Sequence, residues 1–250
     1  MKAFASITLV LVLFPCLSSG QEKKDIYANP ENLKVLPEDI SSQDLGATMK
    51  SFALGLGLRC ENCHVGEAGK PLTTFDFAAD DKEMKLKARV MIAMVTEINQ
   101  TLVPRLDEVE KAQRVEVRCV TCHRGQQQPR LIEDIMDEEL AENGIDAALA
   151  RYDELRNEFH GSHTYDFSEF TLPMYAQGLS GEKKIQHGIA LAKVNARYFP
   201  DSYYTHFLLA ELQSLAGQKD AAIANYIRAT EINPRAKPFL EPKIAELRKN

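Results

Sequence analysis

Two pentapeptides in this 250-residue chain, Cys60-Glu61-Asn62-Cys63-His64 and Cys119-Val120-Thr121-Cys122-His123, share the pattern C-x-x-C-H. That pattern is the attachment signature of c-type haem, and the chemistry sets the spacing. Each thiol adds to one vinyl group, the two intervening residues match the sulfurs to both vinyls of one porphyrin, and the next residue brings an imidazole to the iron. Cys60, Cys63, Cys119 and Cys122 are therefore the expected thioether residues. His64 and His123 are the expected axial ligands of two covalently attached c-type haems.

A sixth ligand has to reach each iron from the opposite side of its ring, and helices are placed to supply one. Leu45, Met49, Phe52 and Leu56 recur at helical spacing ahead of the first motif, so Met49 lies on an apolar stripe eleven residues before Cys60. Ser41 with Asp44 reads as the capping pair that starts this helix. Gly55 and Gly57 then permit a reversal of the chain towards the methionine's face. A second helical stretch, expected over 80–100, steps through Met84, Ala88, Met91, Val95 and Ile98, with Asp80 and Glu83 in its first turn and Pro104 interrupting it. Met91 and Met94 are both candidates for the second iron, and periodicity does not choose between them. Between the first motif and this helix, residues 65–79 read as a loop with Phe75 and Phe77 available to pack on a haem edge.

Zinc is the main competing reading for paired cysteines. Fifty-five residues separate Cys63 from Cys119, against about 15 to 20 in a zinc ribbon, and a histidine follows both pairs. A thioredoxin-like dithiol would need a strand leading into the motif, which the sequence does not offer. The fifth cysteine, Cys16, lies in a stretch with the marks of an export signal: Lys2, an apolar run over 7–17, then Ser18-Ser19-Gly20. Cleavage after Gly20 leaves four cysteines, all in the two motifs, and no structural disulfide. Lipid anchoring through Cys16 is the less favoured alternative, because Leu13-Phe14-Pro15 is bulky where a lipoprotein signal wants small residues.

With 44% hydrophobic and 26% charged residues, the chain has the composition of a globular protein with substantial cores. Residues 1–20 carry one basic and no acidic residue, so their removal takes the formal net charge from −6 to −7, which argues against nucleic acid as a partner. No later stretch is long and apolar enough to span a bilayer. The expected organisation is a signal peptide over 1–20, a flexible segment over 21–35 and a dihaem domain over 36–130. An acidic helical connector over 131–160 and tetratricopeptide-like repeats over 161–250 follow. In the connector, Glu133, Asp134, Asp137, Glu138, Glu139 and Glu142 have no basic residue among them; they read as a solvated face or a docking patch for a basic redox partner.

The repeat reading rests on a period of 34 residues, which relates Pro200 to Pro234, Gly188 to Ala222, Ile189 to Ile223 and Asn195 to Ala229. Leu209, Ala210, Gly217, Ala222, Tyr226 and Ala229 fall where small and bulky residues alternate at paired-helix contacts, and 237–249 reads as a capping helix. Two such repeats need neighbours to bury their faces, so packing on the helices before them is expected. The fold class is thus mainly α: a dihaem c-type cytochrome domain of helix-turn-haem units, then a helical repeat domain. The histidines of the C-terminal half, His160, His163, His187 and His206, read as surface or packing residues.

Residues 49–64, the pair Met91-Ile92-Ala93-Met94 followed by Ile98-Asn99, and the run 119–125 resemble the first half of the tetrahaem cytochrome subunit of bacterial photosynthetic reaction centres. The resemblance covers about residues 45–130. It implies Met49 with His64 on one iron, and Met91, the first of its pair, with His123 on the other. Only two attachment motifs are present, and 101–118 holds no histidine where that family carries one for a further haem, so the four-haem array is truncated. Two six-coordinate irons leave no position for substrate. The expected role is an exported, periplasmic carrier of single electrons between redox partner proteins, with the repeats docking one of them. The alternatives are a dihaem peroxidase or reductase with a displaceable methionine, or a donor subunit associated with a reaction centre.

Overall fold

The structure, a computed structural model, describes residues 25–108, 116–179 and 182–249. The export signal over 1–20 and Cys16 lie outside the described residues. The described residues are mainly α-helical and contain no strand; one isolated antiparallel bridge joins Val65 and Asp76. The chain divides into two compact units, one formed by residues up to Thr48 with Cys60–Ala93, the other by Met49–Arg59 with Met94–Asn250.

Helix α1, Ser42–Leu56, begins where the capping pair was expected: the Ser41 hydroxyl accepts from the Asp44 N–H at 3.1 Å and donates to its carboxylate at 2.7 Å. Leu45 is buried and Met49, Phe52 and Leu56 are half-buried, so the apolar stripe does face the protein. Helix α2 is the single turn Cys60–Cys63. The loop after it is ordered by Lys85, whose ammonium donates to the carbonyls of Phe77, Ala78 and Ala79 at 2.9, 3.1 and 2.7 Å.

Helix α3 runs over Glu83–Glu97, starting later than the expected Asp80. The carboxylate of Asp80 is engaged elsewhere: it takes hydrogen bonds from Arg89 at 2.9 Å and Asn32 at 3.0 Å, and pairs with Lys85 at 3.0 Å. At its far end α3 widens into a π turn over Ile98–Leu102, closed by a bond from the Val103 N–H to the Ile98 carbonyl, and then tightens to a 3-10 turn over Val103–Glu108. Pro104 accounts for the break, because it has no N–H to give and its ring crowds the carbonyl four residues back.

In the second unit, α4 is Cys119–His123 and α5 to α11 follow as Ile132–Asn143, Ile145–Phe159, Thr171–Gly178, Glu182–Tyr198, Tyr203–Leu215, Lys219–Ile232 and Lys237–Lys249. The expected acidic connector is an integral part of a core. Helix α5 buries Ile132, Ile135 and Met136 with Tyr152 and Leu155 of α6, Leu172 of α7 and Leu191 of α8. Its acidic face is also less bare than its sequence implied: Arg130, just outside the helix, pairs with Glu138 at 2.8 Å, and Asp137 accepts the Tyr175 hydroxyl at 2.7 Å. Helices α9, α10 and α11 share a second core in which Ala210, Ala222 and Ala229 are wholly buried, as expected of residues at close helix contacts. Gly188 of α8 serves the same end, since a Cβ there would stand 3.1 Å from Leu212 of α9.

Candidate haem sites

Each C-x-x-C-H sequence forms one helical turn. In the first, the His64 N–H donates to the Cys60 carbonyl at 2.9 Å, so histidine and first cysteine stack one turn apart. In the second, α4 includes His123 itself, and the Thr121 hydroxyl accepts from the Arg118 N–H at 3.0 Å where the turn begins. One turn gives both thiols similar headings and carries the imidazole beyond them, which is the geometry the attachment chemistry needs. All four thiols are free; Cys60, Cys63 and Cys119 are half-buried and Cys122 is exposed.

Burial raises the Cys63 and Cys119 thiols above their ordinary values, so neither is an activated thiolate of the dithiol-exchange kind. Among the described residues no three His, Cys, Asp or Glu side chains converge as they would to hold a metal ion.

The two histidines are prepared differently. The His123 ring is buried at 9% exposure, and its Nδ1 lies 2.9 Å from the Gln126 carbonyl. A carbonyl can only accept, so Nδ1 is the donor, which leaves Nε2 as the nitrogen that would meet an iron. Sequence reading did not find Gln126, because the partner is its backbone. The turn that delivers this carbonyl comes from Arg124 in the left-handed region at φ 49° and Gly125 at φ 84°.

For His64, burial lowers the ring's affinity for a proton and the nearby Lys85 charge lowers it further, while the Phe77 carbonyl pulls the other way. Burial thus favours the neutral ring. Its Nδ1 is buried with no hydrogen-bond partner among the described residues. Phe77 stands edge-on to the imidazole at 5.0 Å and stacks with Phe75 at 5.8 Å, so the expected haem-edge aromatics do gather at the first motif.

Of the three candidate sulfur ligands, Met49 is half-buried on α1, while Met91 and Met94 are exposed at 36% and 45% on α3. Exposure continues along one side of α3 through Leu86 and Val90, which with Met94 step by four residues. Helix α3 buries no residue at all, unusual for so apolar a helix. Free thiols, each followed by an imidazole, and an exposed apolar helix side suit a large flat apolar group. At the second motif an open cavity of about 440 Å³ is lined by Cys122, His123, Arg130, Leu131, Tyr165 and Asp166.

Three of the histidines of the C-terminal half are placed as surface or packing residues. His160 and His163 are exposed, and the two ring nitrogens of His206 sit against Asn225 and the Pro200 carbonyl at 2.9 and 3.0 Å.

Comparison with known proteins gives one family. Residues 10–186 match the photosynthetic reaction centre cytochrome C subunit family, a longer stretch than the motifs span, reaching through α5 to α7 into α8. No curated protein and no solved structure matches the chain. The family binds covalent c-type haems and carries electrons. A match over most of its length makes this chain a member of the photosynthetic reaction centre cytochrome c subunit family.

Proposed function

We propose that the chain is an exported dihaem electron carrier. Cys60 and Cys63 hold one haem and Cys119 and Cys122 the other; His64 and Met49 ligate the first iron, and His123 and Met91 the second, with Met94 the alternative sulfur. The observation that carries this reading is the repetition of one device, a single helical turn with two free thiols followed by a histidine that is half-buried at the first motif and buried at the second. A haem so held supplies one-electron chemistry at iron. The residues would do the rest: one imidazole and one methionine sulfur would ligate each iron, and the sulfur would raise the reduction potential relative to a second imidazole.

Residues 1–20 direct export, and the periplasm is the working compartment. No helix among the described residues is long and apolar enough to cross a membrane. Helices α7 to α10 are read as two tetratricopeptide-like hairpins, supported by the 34-residue period and by the buried alanines at its contact positions. Their role is to dock one redox partner. The exposure of Met91 and Met94 favours a second reading at that iron alone, in which the methionine is displaced and the protein reduces a small oxidant such as a peroxide.

Redox-titrated absorption spectroscopy on holoprotein from a host competent in cytochrome c maturation tests both. Two low-spin haems are expected, with Met49→Ala and Met91→Ala each abolishing sulfur ligation at one iron and Met94→Ala at neither. A high-spin haem in the wild type that reacts rapidly with peroxide would replace the carrier reading with the second one. Colourless protein would end both.

A further inference from the structure

Asn99 lies in the π turn that ends α3, and its carboxamide makes two hydrogen bonds to a single residue eighteen positions further on. Nδ2 donates to the Val117 carbonyl at 2.7 Å, and Oδ1 accepts from the Val117 N–H at 2.8 Å. Val117 is half-buried, belongs to no helix, and stands two residues before Cys119. Its donor and acceptor are both met by this one side chain.

A carboxamide is the side chain for this task, because it offers a donor and an acceptor side by side on one plane. Aspartate would keep the bond to the N–H and set a carboxylate against the carbonyl; alanine would lose both. The π turn matters as well, since its extra residue shifts the helix register just where Asn99 must face Val117. The rest of the second motif is held at other points. Arg118 is bonded to Thr121, the Arg124 carbonyl accepts the Thr164 hydroxyl at 3.1 Å, and the Gly125 N–H donates to the Gly55 carbonyl at 3.0 Å. Among the described residues, Asn99 is the side chain bonded to Val117 on the approach.

We propose that Asn99 is a positioning residue for the second attachment site: by clamping Val117 it sets where α4 begins, and so where Cys119, Cys122 and His123 stand when a haem is joined to them. The inference rests on reading C-x-x-C-H as haem attachment. Joining adds each S–H across a vinyl double bond, sulfur to the ring-proximal carbon and hydrogen to the terminal one, with no electron exchanged. Geometry is what the protein contributes to this addition, so a loosened approach lowers its yield at this site and leaves the first motif untouched.

The test uses the full chain matured in a cytochrome-competent host, as wild type, Asn99→Ala and Asn99→Asp. Peptide mass spectrometry reads thioether formation at each motif, and a redox titration reads the two midpoints. For Asn99→Ala a roughly twofold or greater loss of haem on Cys119 and Cys122 is expected, with Cys60 and Cys63 fully modified. In the molecules that carry both haems, one midpoint moves and the other stays. Asn99→Asp shows the same pattern to a smaller degree, and replaces Asn99→Ala as the deciding variant should the latter not accumulate. A folded variant with both motifs fully modified and both midpoints unchanged overturns the proposal. Wild-type protein without covalent haem on Cys119 and Cys122 would instead overturn the attachment reading beneath it.

Discussion

Gly125 donates its backbone N–H to the carbonyl of Gly55 at 3.0 Å, so the turn that ends α1 lies directly against the turn that follows the second attachment motif. Gly55 is buried there, and a Cβ on it would stand 3.1 Å from the Val120 nitrogen and 3.3 Å from the Cys119 Cβ. Gly57 is tighter still: its φ is +64°, and a Cβ would collide with the Gly125 carbonyl. Gly57→Ala is therefore expected to destabilise by roughly 2–3 kcal/mol, combining left-handed strain with a clash against backbone. Gly69→Ala is the control, with φ +79° and open space around it, and should cost only about 1 kcal/mol. Thermal or urea unfolding of the two variants measures the difference; equal effects would remove the close approach as a cause.

The Phe75 ring lies on the backbone of Gly66, where a Cβ would meet its Cγ and both Cδ atoms. Gly66→Ala should push the ring away and cost about 1–3 kcal/mol, as overpacking does. Combining it with Phe75→Leu should recover much of the loss, because the smaller side chain can give way. A double-mutant cycle with additive effects would contradict this contact.

The Asp80 carboxylate ties Asn32 to the α3 residues Lys85 and Arg89 in the first unit. Hydrogen bonds from Arg89, then Asn32 and Lys85, hold its carboxyl well below the usual carboxylate range. A lowered folded value means that the stabilisation is complete above the unfolded carboxylate's pKa, about 4, and disappears as pH falls through the lower folded value. Asp80→Asn should thus melt below wild type at pH 7, with a gap that stays constant down to about pH 4 and narrows only on further acidification. Melting curves taken across this range check the sign, and a gap that widened in acid would refute it.

Asn195 is wholly buried in α8 at the position which the 34-residue period relates to Ala229. Its Nδ2 donates to the Glu169 carbonyl at 2.8 Å and lies 2.6 Å from the Thr205 hydroxyl, tying the segment before α7 to α9. Asn195→Ala leaves that carbonyl unpaired and should cost about 1–3 kcal/mol, whereas Ala229→Gly removes one methyl and should cost about 1. Denaturant titration distinguishes them, and equal costs would show that Asn195 only fills space.

Much of this was legible in the chain. Ser41 and Asp44 announced the start of α1 because a cap is a local event, and Pro104 announced the end of α3 for the same reason. The two C-x-x-C-H turns were visible for the same reason, each being contiguous in the sequence. What escaped was non-local. Asp80 failed to open α3 because Asn32, far back in the chain, takes part in binding its carboxylate. Asn99 and Val117 carry no joint pattern, and the Gln126 carbonyl that orients His123 has no side-chain signature. Glycines 55 and 57 were read as a hinge for the first motif; that they also seat the second depends on a contact across some seventy residues.

Leu86, Val90 and Met94 leave one side of α3 greasy and bare. A freshly made polypeptide with such a flank is sticky, so the order of biosynthetic events matters: pigment first, storage later. In cells that secrete the chain without the means to stitch tetrapyrrole onto it, the product should clump or be degraded. Pigmentation of the soluble fraction therefore doubles as a measure of how well the protein has been made.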